Sequence, residues 1–281
     1  MLEALTTQEI EATTVEELMS LPASLLDYQH TLSYTGSLPL EDLVAILRRH
    51  HTPADVLKET PDFRFRTARD IDSPQIYVVD QQTAQAQVRI EDPDGLYSED
   101  DSVLSSIYTN YFGSGMSSVV FQELREARAL AYSASARYAQ GGRINDQNLM
   151  LGVIGTQTDK TVDALVAFID LIDNMPASTE RFDESVNSLL NRYRTSKVSF
   201  RQVIGAVRGW ERLGIEGDPR RRRFQELQSA SMDDLLNFQR QHIKDRPKLI
   251  SIVGDLSILD TEELEQFGTV QQLQVDDLFV D

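Results

Sequence analysis

Residues 84–91, AQAQVRIE, alternate apolar and polar side chains without a break. Ala84, Ala86, Val88 and Ile90 share one face; Gln85, Gln87 and Arg89 share the other. Successive side chains of a strand point to opposite faces, so this stretch predicts a half-buried strand with one dry and one wet side. A chain built around such a strand needs a second layer on the dry side only, which helices can supply.

The remaining periodicities supply that layer. QIYVVD (75–80) is an apolar strand, and HTLSYTG (30–36) reads as another. Pro39 opens a helix through LEDLVAILRRH, in which Leu40, Leu43, Val44 and Leu47 form one stripe. Ser98 and Asp101 read as a capping-box pair before a helix over 99–112, and Thr14 and Glu17 as another in a peripheral helical segment over 1–26. A helix over 116–127 follows, then strands over 129–139 and 148–157 joined by the glycine-rich loop QGGRIND. Helices are expected over 159–175, 179–197, 199–215 and 220–244. Val162, Leu165, Val166, Ile169 and Ile172 form the apolar stripe of the first of these. A strand over 248–256, a short helix over 261–267 and a last strand over 270–275 close the chain. The expected organisation is a linker or peripheral helix over 1–26 and one α+β domain over 27–281, its sheet covered by helices on one side.

Charge and composition remove several functions. The 281 residues carry a formal net charge of −18, whereas nucleic-acid binding needs a basic footprint; no nucleic-acid partner is expected. An acidic surface suits a cationic or neutral peptide, or merely solubility. The single dense basic run, PRRRRF (219–224), reads as a solvated helix face, with a docking patch for an acidic partner as the alternative. With no cysteine, thiolate metal sites and cysteine nucleophiles are excluded. No apolar run approaches the roughly 18–20 residues that span a membrane. The acidic opening reads as linker and helix, and suits an internal fragment as well as a true beginning.

Familiar chemistries find little purchase. The histidines are His30, His50, His51 and His242. Adjacent His50 and His51 would diverge by about 100° on a helix, and neither HExxH nor HxxEH occurs, so no metal or other cofactor is expected in this chain. FGSGMSS lacks the GK[ST] of a phosphate loop and reads as a helix end and tight turn. Ser117 and Ser118 stand outside any GxSxG. Arg125 and Tyr132 remain, seven residues apart across a helix-to-strand junction. Taken singly, each is an ordinary surface or packing residue.

Their surroundings change that reading. YFGSGMSSVVFQELREARALAYSASA resembles the signature of the non-zinc half of the pitrilysin/insulinase zinc metallopeptidases, a family that includes mitochondrial processing peptidase. Gly113, Gly115, Met116, Ser117, Phe121, Leu124, Arg125, Glu126, Arg128, Leu130, Ala131 and Tyr132 fall in place; Ala129 stands where many members have glycine. Weaker similarity extends over about 30–280. The resemblance implies a two-layer fold with a mostly antiparallel sheet and helices on one face. It also implies a C-terminal, substrate-gripping domain of a zinc metalloendopeptidase, with Arg125 and Tyr132 as catalytic and substrate-binding residues. Zinc would then be held by a complementary homologous domain, in the same longer chain or in a separate subunit. Lacking HxxEH, the chain alone is expected to cleave nothing. The alternative is an inactive homologue acting as a peptide-binding or scaffold subunit. The compartment stays open; a bacterial periplasmic or exported enzyme with an upstream signal fits.

Overall fold

The computed structural model describes residues 7–65, 67–69 and 71–278. They fall into two compact units, one from 7–65 with 198–206, the other from 67–197 with 207–278.

The first unit carries α1 (Thr7–Ala12), α2 (Val15–Ser24) and α3 (Leu40–His50). Thr14 and Glu17 form the expected reciprocal cap: the Thr14 N–H donates to Glu17 Oε2 at 2.8 Å and the Glu17 N–H to Thr14 Oγ1 at 3.2 Å. Residues 1–6 of the expected helical segment lie outside the described residues. Pro39 does open α3, its carbonyl accepting from the Leu43 N–H at 3.0 Å. The strand expected over 30–36 does not form. The segment runs irregularly with most of its side chains exposed, and without a neighbouring strand to take its backbone groups no ladder can form.

The second unit is organised by one six-stranded sheet of order β3-β4-β2-β5-β1-β6. Its strands are β1 (Gln75–Asp80), β2 (Ala86–Leu96), β3 (Ser133–Ala139), β4 (Gln147–Thr156), β5 (Leu249–Gly254) and β6 (Thr269–Leu273). The β3–β4, β4–β2 and β2–β5 pairs are antiparallel; β5–β1 and β1–β6 are parallel. The alternation in β2 is realised: Ala86, Val88 and Ile90 are buried while Gln87 and Arg89 are exposed. Ala84 falls before the strand and is exposed.

Helices cover the dry face. They are α4 (Ser102–Tyr108), α5 (Thr161–Asp173), α6 (Thr179–Thr195), α8 (Arg220–Ser229), α9 (Met232–His242) and α10 (Thr261–Leu264); a further helix, α7 (Val203–Arg212), buries no side chain. Val162, Leu165, Phe168 and Ile172 of α5 are buried at helical spacing, while Val166 turns out to face solvent. Phe168 lies directly over Gly152 of β4, where a Cβ would come within 2.7 Å of its ring. Burying a side chain of this size contributes roughly 1.5–3 kcal/mol.

Three local expectations are corrected. The expected helix over 220–244 is two helices, because Ser231 breaks it and caps α9 in a reciprocal box with Asp234. Ser98 and Asp101 form no side-chain cap: α4 begins at Ser102 without one. Glu99 dominates that corner instead, accepting from Ser102 Oγ and from Arg222 and Arg223 of α8. Arg222 and Arg223 thus pair with Glu99, and Arg220 with Asp218, while the basic run stays on the solvent side of its helix, Arg221 and Arg222 exposed. Finally, the helices flanking the glycine turn end in wide π turns, Thr109–Gly113 and Phe121–Ala127.

Candidate active site

The glycine turn is placed by close backbone packing. A Cβ on Gly113 would sit 2.1 Å from the Ala136 carbonyl oxygen of β3, so only glycine lets the first π segment rest on the sheet. Gly115 follows at φ +89, a conformation that glycine adopts without strain. Ser118 Oγ donates to the Gly115 carbonyl at 2.8 Å and accepts from the Phe121 N–H at 3.4 Å, closing the turn into the second segment.

Arg125 leaves that second segment near its end. Its side chain is half exposed, 4.9 Å over the Phe121 ring and 3.6 Å from the Glu126 carboxylate. Ala129 then turns the chain at φ 50, the left-handed region that non-glycine residues avoid. The Leu130 N–H returns to the Leu124 carbonyl at 2.9 Å, a backbone closure that ends the helix much as a Schellman turn does. The Thr156 hydroxyl secures the Leu130 carbonyl at 2.5 Å.

Tyr132 enters the sheet immediately afterwards. It precedes β3 rather than lying within it, and its N–H donates to the Gly155 carbonyl of β4 at 2.8 Å. Its ring is 52% exposed. Gln157, just beyond β4, donates from Nε2 to the Tyr132 hydroxyl at 2.9 Å. The hydroxyl is thus an acceptor toward Gln157 and keeps its own proton to donate elsewhere. Gln157 escapes sequence reasoning because nothing in its spacing from Tyr132 marks it; only the β3–β4 register brings them together.

The two residues therefore sit at either end of one short turn, both exposed. Among the described residues no hydrogen bond joins their side chains, and both are held lightly. An exposed ion pair such as Arg125–Glu126 is worth about 0–1 kcal/mol, so Arg125 can exchange it for a ligand at little cost. Beside them lies the wet face of the sheet. There Ser133, Gly155 and Gln87 are neighbours across β3, β4 and β2; Arg137 and Glu91 each pair with Leu151 of β4, two rungs beyond the Arg89–Val153–Ser135 row.

Zinc ligands do not assemble. Among the described residues no three His, Asp or Glu side chains converge as a metal-holding group, and His242 is engaged instead with Asp94, Nδ1 to Oδ2 at 2.7 Å. The described residues do not fit a catalytic zinc.

Comparison with known proteins places the fold in a family. The profile of the peptidase M16 inactive domain matches residues 30–189. That is more than half of the chain, and the chain belongs to this family of non-zinc domains of M16 peptidases. No curated protein matches it. The peptidase M16 inactive domain from Pseudomonas fluorescens superposes with a TM-score of 0.65 at 14% identity, over 89% of this chain and 60% of that one. A conserved protein from Enterococcus faecalis V583 gives 0.67 at 13%, over 89% and 58%. The periplasmic protease PqqL from Escherichia coli gives 0.58 at 14%, over 78% and 24%. At such identities the likeness concerns the fold. The chain spans about three fifths of the first two structures and about a quarter of the third.

Proposed function

We propose that this domain is the substrate-gripping half of a zinc metalloendopeptidase, in which Arg125 and Tyr132 act on the substrate and a complementary homologous domain supplies the zinc. The observation that carries the reading is the pair's placement. A charged donor and a neutral donor project from the two ends of one hydrogen-bonded turn, beside a sheet face left open to solvent.

The chemistry follows from the donor types. An extended peptide lying near the turn presents carbonyl oxygens. Tyr132 can donate its free hydroxyl proton to such an oxygen while Gln157 holds the ring in place. Arg125 remains charged at any working pH and offers several N–H donors. When a tetrahedral intermediate forms, negative charge gathers on that oxygen, and donors already aimed at it stabilise the transition state more than the ground state. Gln157 touches only Tyr132 and is a positioning residue.

Ile10, Val15, Leu18, Met19, Leu21 and Leu25 of the first unit are all more than half exposed, apolar side chains that a partner could cover. Family membership supports a homologous domain as the partner and peptide as the substrate.

The test is complementation. Fluorogenic peptides are offered to this domain alone, to the zinc-bearing half alone and to the two together. Turnover on mixing only is the expected result. Equal turnover by the zinc half with or without this domain would favour the scaffold reading.

A further inference from the structure

The histidines that sequence spacing dismissed as a metal site regroup in three dimensions. His51 follows α3, and its Nε2 meets the Nε2 of His30, 21 positions earlier, at 2.7 Å. The rings stand nearly perpendicular, at 84°, with centroids 4.8 Å apart. His30 is further constrained, because its Nδ1 lies 2.6 Å from the Tyr28 carbonyl oxygen. A carbonyl only accepts, so His30 Nδ1 carries the proton and, in the neutral ring, its Nε2 presents a lone pair toward His51. A backbone carbonyl on the far nitrogen is the arrangement that orients metal-binding imidazoles.

From this geometry we infer that His30 and His51 form a two-imidazole site for a divalent transition-metal ion, with water completing its coordination. Metal–imidazole bonds of about 2.0–2.1 Å place two cis nitrogens about 2.9 Å apart on a square-planar ion and about 3.4 Å apart on a tetrahedral one. The hydrogen-bonded separation of 2.7 Å is short of both values, so loading moves the rings apart slightly; imidazole donors suit Cu²⁺, Ni²⁺ and Zn²⁺. Neutral nitrogen donors also discriminate against Mg²⁺ and Ca²⁺, which take oxygen ligands. Affinity should follow Cu²⁺ above Ni²⁺ above Zn²⁺.

Without metal, a single N–H···N hydrogen bond joins the rings, with the proton on His51 Nε2. Loading requires His51 to shift that proton to Nδ1 through solvent, exposing the second lone pair. No redox step is involved. The site lies wholly within the first unit and its existence does not depend on the peptidase reading.

The test is titration of the full chain with Cu²⁺ in a non-chelating buffer, followed by calorimetry and by electron paramagnetic resonance. One equivalent should bind with hyperfine structure from two nitrogens. His30→Gln and His51→Gln should each weaken binding by more than the roughly 10–100-fold that loss of an outer partner costs. His50→Gln and His242→Gln should leave binding unchanged, and circular dichroism of each variant verifies folding. No one-equivalent binding by the wild-type chain, or binding undiminished in both His30→Gln and His51→Gln, would overturn the site and leave the pair as a hydrogen bond.

Discussion

Ala129 shows how much one Cβ can matter. Its φ of 50 lies where an L-residue is crowded by its own carbonyl, and family members with glycine there avoid the cost. Ala129→Gly should therefore stabilise the second unit by about 0.5–1 kcal/mol, once the extra freedom glycine gains in the unfolded chain is offset. The urea midpoint would rise with an unchanged slope; a lower midpoint would mean the turn is unstrained. At this scale the sequence was informative about identity and silent about environment. Arg125 and Tyr132 stand out through the motif around them. Gln157 and the His30–His51 contact do not, because each joins residues distant in sequence through register or chain path, which no local pattern encodes.

Between elements, two junctions dominate. Gly113 lets the first π segment lie on β3, and Gly113→Ala would force a Cβ into the Ala136 backbone. Overpacking of this kind costs about 1–3 kcal/mol. Thermal melts should register it, whereas Gly209→Ala in α7, where a Cβ meets nothing within 4 Å, should be neutral or stabilising. The second junction is the charged corner where β2 meets α9. Burial opposes ionisation of Asp94, yet hydrogen bonds from His242, Tyr138 and the Gly95 backbone outweigh it and hold its pKa at about 2. His242 is raised from 6.5 chiefly by its bond to Asp94. Burial lifts nearby Asp92 to about 6, against the pull of Arg246.

The signs of these shifts set the pH response. A depressed carboxylate stabilises above its unfolded pKa, so the Asp94 contribution is lost as pH falls from 3.8 toward 2. A raised group stabilises below its unfolded pKa, so that of Asp92 fades between 3.8 and about 6 and that of His242 fades as pH climbs past 6.5. Urea midpoints should fall below about pH 4 through Asp94, and should decline from about pH 4 upward, first through Asp92 up to about 6 and then through His242 above 6.5. His242→Gln should flatten the alkaline limb; an unchanged limb would place that titration elsewhere. Sequence patterns foresaw most strands and helices of this unit, because one-faced burial writes itself as alternation and helical stripes. They missed the π turns, the Ser231 break and the Asp92–Asp94 corner. Those features arise from how elements meet, and an isolated apolar-looking stretch such as 30–36 becomes a strand only if another strand is beside it.

Taken whole, the molecule is a family domain with an open sheet face, an exposed apolar surface on its first unit and a lightly held donor pair. Among the described residues no helix is long and apolar enough to cross a membrane. The proposed division of labour between homologous domains makes the Arg125–Tyr132 pair the central claim. Its most direct test is steady-state kinetics of the complemented enzyme with Arg125→Ala and Tyr132→Phe. Loss of an oxyanion donor costs on the order of 10²–10³ in kcat. The account predicts that fall for each variant, with unchanged association of the two halves and a smaller fall for Gln157→Leu. Turnover within a few-fold of the wild-type mixture for both variants would contradict it and leave the domain a lid or scaffold.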